Sequence, residues 1–350
     1  MIAILGDAHA GTGDGSQLIM RHQLKFLTNE FIPYLVDNGI DTVIQTGDIF
    51  DVRRNTNTDV LHRWKVEFFD VLKQYNIKLI VYVGNHDMYY KNRISPNTVV
   101  EHLSSYPNVT IIDKPTELVV DGTSMLFVPW ICEENEADCH NAIKNSTSDI
   151  CFGHFEIKGA RMESSICEEG LAISEFKHFK HCISGHFHIE GRYENVRYVG
   201  TPYEMSWNDY GVRKGFWTLD GNDMSFIENH NHIFNRITYN ESVDMMSQLT
   251  ERDISDCYIK VVIDERDDFK VYERWQHKLE SLGPAKLDII EPIMNRDADE
   301  SEVIVDGELQ IESTEDIIRE YSADLYPERS ESLSKMMLNI HSEARKTYGV

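Results

Sequence analysis

The sequence predicts an α/β protein whose core is two sheet layers with helices outside. Two observations carry that prediction. Short apolar runs halt at glycine and deliver polar side chains, as in Leu79 to Asp87, Leu-Ile-Val-Tyr-Val-Gly-Asn-His-Asp. The same arrangement recurs where Met1 to Leu5 meets Gly6-Asp7-Ala8-His9, and where Thr42 to Thr46 meets Gly47-Asp48-Ile49-Phe50-Asp51. It recurs again at Gly153-His154 and at Gly185-His186-Phe187-His188. Such runs read as buried strands of a sheet covered on both faces, where ligands collect at the carboxyl ends of the strands. The second observation is order: the opening alternates strand and helix, and the later part is rich in strands.

Taken in order, the first strand is followed by a loop with Gly11, Gly13 and Gly15. Gln17 to Asn38 carries Leu18, Leu24, Leu27, Phe31 and Leu35 at helical spacing, with Pro33 expected to kink or end part of it. Asn38-Gly39 supplies the left-handed stop. After the Thr42 strand, Asp59 to Tyr75 reads as a second amphipathic helix, and the Leu79 strand completes β-α-β-α-β. Val109 to Trp130 suggests a strand pair broken at Pro115 and Asp121-Gly122. A short helix then precedes the Ile150 strand, and further strands include Val196 to Val199 and Gly215 to Leu219, in a domain ending near His232.

Beyond that point, a helix at Ser242 to Leu249, a strand at Cys257 to Asp264, a helix at Phe269 to Leu282 and a strand at Lys286 to Glu291 suggest a small α/β domain, residues 233–292. Residues 293–312 are acidic and read as a linker. Residues 313–350 read as two helices around Pro327, with Leu333, Met336, Met337 and Ile340 in a narrow apolar stripe suited to a partner.

Composition narrows the chemistry. The 350 residues carry 34 Lys+Arg against 59 Asp+Glu, a formal charge of -25 that repels nucleic acid unless metals or local patches intervene. Six cysteines without a C-x-x-C pair are expected to be reduced, buried thiols of a cytoplasmic protein. No apolar run approaches the roughly 18 residues of a membrane span, and the first residues form a strand rather than a signal peptide.

Carboxylate, imidazole and amide groups together suit manganese, iron or zinc, and the motif ends have no cysteine in reach. Seven candidate ligands are too many for one ion and fit two. Asp7, His9 and His188 are assigned to one ion, Asn85, His154 and His186 to the other, and Asp48 bridges them. Two divalent ions about 3.5 to 4 Å apart can clamp a phosphate and supply the positive charge an acidic chain lacks. His86, beside Asn85, is expected to protonate the leaving oxygen or steady transition-state charge. Arg53, Arg54, Lys91 and Arg93 follow the motifs and could hold a nucleic-acid backbone at the rim. Tyr89 and Tyr90 could stack on bases, although packing into the core is the expectation.

The ordered set Asp-x-His, Gly-Asp-x-x-Asp, Gly-Asn-His-Asp, Gly-His and Gly-His-x-His resembles the calcineurin-like metallophosphoesterases. Within them the chain looks like SbcD-like DNA repair nucleases. Gly47-Asp48-Ile49-Phe50-Asp51-Val52-Arg53, Val128-Pro129-Trp130 and Tyr198-Val199-Gly200-Thr201-Pro202 are most similar to the phage members. The resemblance spans about residues 1 to 220 in motif, and the rest in layout only. It implies a four-layered αββα nuclease domain over residues 1–232, a capping domain that selects DNA ends, and C-terminal helices that grip an SbcC-like coiled-coil ATPase. It also implies a homodimer, manganese as cofactor, 3′ to 5′ exonuclease action on duplex and endonuclease action on single strands or hairpins, in double-strand-break repair and recombination. Carried over by motif, the ligands are Asp7, His9, Asp48, Asn85, His154, His186 and His188, with His86 catalytic. Some relatives have histidine where Asp51 stands, so Asp51 receives no role. The chain has no Gly-Lys pair and hence no Walker A loop, so any ATP use falls to the partner.

Two other readings compete: a stand-alone phosphatase or phosphodiesterase, and a non-catalytic scaffold. The extra domain, the helix pair and the lack of Asp-Arg-Gly at Asp51-Val52-Arg53 speak against the first. The complete ligand set speaks against the second.

Overall fold

A computed structural model describes residues 1–162, 165–250, 254–290 and 335–337. Met1–Pro292 forms one compact unit and Ile293–Val350 a second. The expected linker, 293–312, and nearly all of the expected helical segment, 313–350, lie outside the described residues; Lys335, Met336 and Met337 are helical.

Apolar β-branched runs with both faces covered become the inner strands of two six-stranded sheets. The first contains β1 (Ile2–Leu5), β2 (Thr42–Gln45), β3 (Lys78–Tyr82) and β4 (Val109–Ile112), all parallel. The second contains β5 (Thr116–Val120), β6 (Thr123–Val128), β7 (Ile150–Gly153), β10 (His181–Ser184), β11 (Gly191–Tyr193) and β12 (Val196–Tyr198). Between β7 and β10 lies a two-stranded ribbon of β8 (Arg161–Met162) and β9 (Ser165–Ile166). The antiparallel pair β13 (Gly215–Asp220) and β14 (Asp223–Glu228) returns to the first sheet beside β1. Sheet orders are β14-β13-β1-β2-β3-β4 and β11-β12-β10-β7-β6-β5.

Three apolar layers hold the sandwich together. Ile4, Ile44, Tyr82, Phe127, Phe152 and Ile183 fill the space between the sheets. Phe31, Trp64, Phe68 and Leu72 pack helices against the outer face of the first sheet. Ile143, Phe155 and Phe176 do the same for the second, under the Glu136–Asn145 helix. This is the αββα layering expected.

The long first helix departs from expectation in its middle. Pro33 neither ends nor sharply interrupts it; a π-helical stretch, Leu27–Phe31, precedes Ile32–Asp37, which holds Pro33 in its first turn. Proline lacks an N–H, and widening the preceding turn takes up the mismatch. The second helix has a matching π-helical stretch at Lys65–Phe69, for which its sequence offers no such marker.

A third sheet of parallel strands, β15 (Phe234–Asn240), β16 (Tyr258–Glu265) and β17 (Lys286–Ile290), follows, packed under the Phe269–Ser281 helix. The sequence reading did not foresee β15. Leu18 and Ile19 of the first helix meet Ile233 and Phe234 in a small apolar seam, and His22 Nε2 donates to the Asp256 carbonyl at 3.0 Å. Residues 233–290 thus have their own sheet and core while belonging to the same compact unit as the sandwich.

Candidate metal centre

The carboxyl ends of β1, β2, β3, β7 and β10 converge, and with them come Asp7, His9, Asp48, Asn85, His86, His154, His186 and His188. Crowding demands the glycines before them. A Cβ at Gly84 would stand 2.2 Å from Asp48 Oδ1, and one at Gly185 2.4 Å from Asp7 Oδ1. His9, Asp48 and His186 themselves adopt positive φ (43°, 52° and 84°), a costly backbone for such residues that recurs at functional sites.

Ligand atoms of Asp7, His9 and His188 lie within 4.8 Å of one another, as do those of Asp48, His154 and His186. A third such group, His9, Asp48 and His86, joins the two. Asn85 Oδ1 faces the second group, 2.9 Å from His154 Nε2 and 3.1 Å from His186 Nδ1. Every ligand candidate read from the sequence is therefore in one cluster.

The hydrogen bonds behind this cluster decide which atoms face inward. Nδ1–H of His154 donates to the Thr46 carbonyl at 2.8 Å, leaving Nε2 directed at Asn85 and, at 3.3 Å, Asp48 Oδ2. His186 turns Nε2 to Glu156 Oε1 at 3.0 Å and Nδ1 to the centre. Nε2 of His9 and Nε2 of His188 approach to 3.1 Å, and His9 Nδ1 lies 3.0 Å from Asp51 Oδ1. Asp7 accepts from Thr46 Oγ1 at 3.1 Å and from the His186 amide at 2.8 Å. Lone pairs thus converge on two neighbouring points with buried carboxylates between them. That donor set fits a pair of borderline divalent cations.

The buried groups also set one another's charge. Burial works against charge on His154, but Asp48 and Asp7 outweigh it and raise its pKa to about 10. Burial likewise acts to raise Asp48, and the facing charges of His154, His9 and His86 hold its carboxyl well below the usual range. Asp7 is pushed up, first by burial, then by Asp48. Burial, with the charge of His9, drives His188 down to about 3, so it offers a neutral nitrogen.

His86 stands at the edge of the cluster, its ring 4.8 Å from that of His9. Nδ1–H donates to the Asp51 carbonyl at 2.7 Å, and the His86 amide donates to Asp48 Oδ1 at 2.7 Å. His86 is half-buried, a ring nitrogen of it lies within 4.8 Å of ligand atoms of His9 and Asp48, and its Nε2 has no hydrogen-bond partner among the described residues. Arg54, Lys91 and Arg93 are exposed and Arg53 half-buried, with no carboxylate at ion-pair distance among the described residues. Tyr89 and Tyr90 are not core residues. They are 40% and 39% exposed, form a T-shaped pair, and lie under Arg54 and Arg93. The strand has ended at Tyr82, so alternation no longer turns them inward.

Several supporting residues escaped sequence reasoning. Asp87 is fully buried and accepts from the amides of Asp48 (2.9 Å), Gly84 (2.9 Å) and Phe50 (3.3 Å), tying two motif loops together. Burial, then Asp48, raises its pKa to about 7. It ends the Gly-Asn-His-Asp motif, so a signal was present. Glu156 orients His186 and had none. Buried Lys214 donates to the His188 carbonyl at 3.0 Å and to Thr201 Oγ1 at 2.7 Å, and pairs with Asp209. The Thr201 amide also donates to that carbonyl, at 3.1 Å, which gives the Tyr198 to Pro202 motif a physical purpose.

A layered αββα sandwich with acidic and imidazole donors at its strand ends defines a metallophosphoesterase. The family model described as calcineurin-like phosphoesterase matches residues 1–190, and the chain belongs to that family of metal-dependent hydrolases. Among curated relatives, the exonuclease subunit 1 of Enterobacteria phage T4 is 33% identical over 91% of this chain and 90% of its own length. The DNA double-strand break repair protein Mre11 of Nanoarchaeum equitans (strain Kin4-M) is 22% identical over 63% of this chain and 66% of its own. A solved structure of GAP50, described as the anchor in the inner membrane complex of Plasmodium, is 13% identical, covers 62% of this chain and 79% of that chain, and has a TM-score of 0.36. A likeness so loose adds nothing to the assignment.

Proposed function

We propose that the chain is the nuclease subunit of a DNA repair and recombination complex, hydrolysing phosphodiester bonds of DNA with two manganese ions. The observation that carries this reading is the pair of converging donor groups joined at Asp48, in a chain 33% identical along 91% of its length to an exonuclease subunit. Asp7, His9 and His188 would hold one ion, Asn85, His154 and His186 the other, with Asp48 between. Bound there, the ions supply Lewis acidity and charge for the phosphate.

The chain's own groups do the rest. His86, with Nδ1–H held by the Asp51 carbonyl, gives the leaving oxygen the Nε2 proton of its imidazolium form. Glu156 and the Thr46 carbonyl fix the tautomers of His186 and His154. Arg53, Arg54, Lys91 and Arg93, with Tyr89 and Tyr90, give the backbone of the nucleic acid a cationic and aromatic rim. Under this reading residues 1–232 are the nuclease domain, 233–292 the capping domain that selects DNA ends, 293–312 a linker and 313–350 the grip for an SbcC-like ATPase. It further assigns 3′ to 5′ digestion of duplex, cutting of single strands and hairpins, a homodimer and a place in the cytoplasm, of the host if phage-encoded. Among the described residues no helix is long and apolar enough to cross a membrane.

Digestion of end-labelled duplex DNA by the purified chain, in manganese, in magnesium and with a His86→Ser variant, tests this. Manganese-dependent loss of label that disappears in the variant is expected. Brisk hydrolysis of a small phosphodiester with DNA untouched, even after adding an SbcC-like ATPase, would instead favour a stand-alone phosphodiesterase.

A further inference from the structure

Beside the second group of donors lies a cavity of about 320 Å³ whose lining includes Trp130, Glu136, His140, His154, Glu156 and Glu175. It shares His154 with the centre and reaches Glu156, the residue that orients His186. We propose that this cavity receives the nucleobase of the nucleotide next to the scissile phosphate, unpaired and stacked against Trp130. The inference rests on the nuclease reading above and adds a subsite to it.

Four features select that ligand. Trp130 is rigid: its amide donates to the Val83 carbonyl at 2.7 Å, its carbonyl accepts from Asn135 Nδ2 at 2.9 Å, and its ring packs 5.1 Å from His186 and 5.8 Å from His154. Half-buried, it offers an aromatic surface held within one nucleotide of the centre, and every base has a face that can stack on it. Charge excludes the other half of a nucleotide. Glu136, Glu156 and Glu175 would repel a phosphate, whereas a base is neutral and brings N–H donors that carboxylates accept. A metal is disfavoured as well. His140 Nδ1 is engaged with Glu175 Oε2 at 2.7 Å, and among the described residues no three ligand atoms of this lining gather at metal distance. The volume suits a base with its sugar edge and leaves no room for a paired duplex. Base entry therefore requires the strand to leave its partner at the point of cleavage.

The test uses short single-stranded oligonucleotides in which every bond but one is blocked as methylphosphonate. The nucleoside on one side or the other of the open bond is either normal or a tetrahydrofuran abasic residue. The wild-type chain in manganese should cut one abasic substrate about tenfold more slowly than its normal counterpart, the size expected for losing one base–aromatic stack. In Trp130→Ala that ratio should collapse towards one, and in Trp130→Phe it should be largely retained. Because each ratio is taken within one protein, a general loss of activity from disturbing His154 or His186 does not affect it. Equal rates on normal and abasic substrates in the wild type, or an unchanged ratio in Trp130→Ala, would overturn the assignment of this cavity while leaving the nuclease reading standing. Failure to cut any of the oligonucleotides, even with an SbcC-like ATPase added, would remove both.

Discussion

The strand ends of the sandwich and the small sheet of β15, β16 and β17 are built on opposite principles. The first gathers buried Asp7, His9, Asp48, Asp87 and His154 around one point. The second has a core of Ile237, Tyr239, Val261, Tyr272, Trp275 and Leu279, and none of its described buried residues is charged. One region spends stability on desolvated charge and strained backbone, because phosphate chemistry needs both. The other recovers stability through apolar burial, and has few polar groups to misplace.

Asp48→Asn should break this contrast most sharply. Losing the shared carboxylate is expected to lower manganese-dependent phosphodiester hydrolysis by about a hundredfold or more. The metal-free melting temperature should fall as well, because His154 and His9 lose the buried charge that faces them. Hydrolysis at the wild-type rate per folded molecule would show that Asp48 is structural only.

The mirror experiment is Trp275→Ala. A cavity in the apolar core should cost about 3–5 kcal/mol in denaturant unfolding, while hydrolysis of a small phosphodiester per folded molecule stays at the wild-type rate. Lys214→Met comes next, since it breaks a buried pair with Asp209 behind the His188 carbonyl. It should raise the manganese concentration for half-maximal activity about tenfold, the usual scale for a support behind a ligand. Adding Asp209→Asn should recover part of the stability lost, but not the metal requirement.

The smallest effect belongs to the seam between the two regions. Burial lowers the His22 pKa, and its Nδ1 has no hydrogen-bond partner among the described residues. The unfolded chain therefore takes up a proton near pH 6.5 before the folded one does. Stability from this group is present above that pH and falls as the pH drops through it. Compared by melting between pH 7.5 and pH 5.5, His22→Gln should show a shallower acid loss than wild type, by under about 1 kcal/mol. Identical slopes would sink the idea that His22 senses pH at this seam.

Much of this was legible because the relevant signals are local. A β-former run halted by glycine and followed by Asp, His or Asn announces both a buried strand and its cargo, so Asp7, His9, Asp48, Asn85, His86, His154, His186 and His188 could be named from the sequence. β15 was missed because its alternation, buried Phe234, Ile237 and Tyr239 among polar neighbours, is brief and resembles the loops before it. Tyr89 and Tyr90 were misplaced because aromatic character alone does not say where a strand has ended.

What the sequence determined by itself, then, was the set of chemically competent side chains and the strands that carry them, since both depend on residues adjacent in the chain. Only the tertiary structure decided which nitrogen of each histidine faces inward and what holds it there. Those answers depend on Thr46, Glu156, Asp51 and Lys214, which meet their histidines from different strands and loops. A hydrogen bond between segments far apart in the chain leaves no periodicity to read. Its geometry exists only once the two sheets have closed on each other.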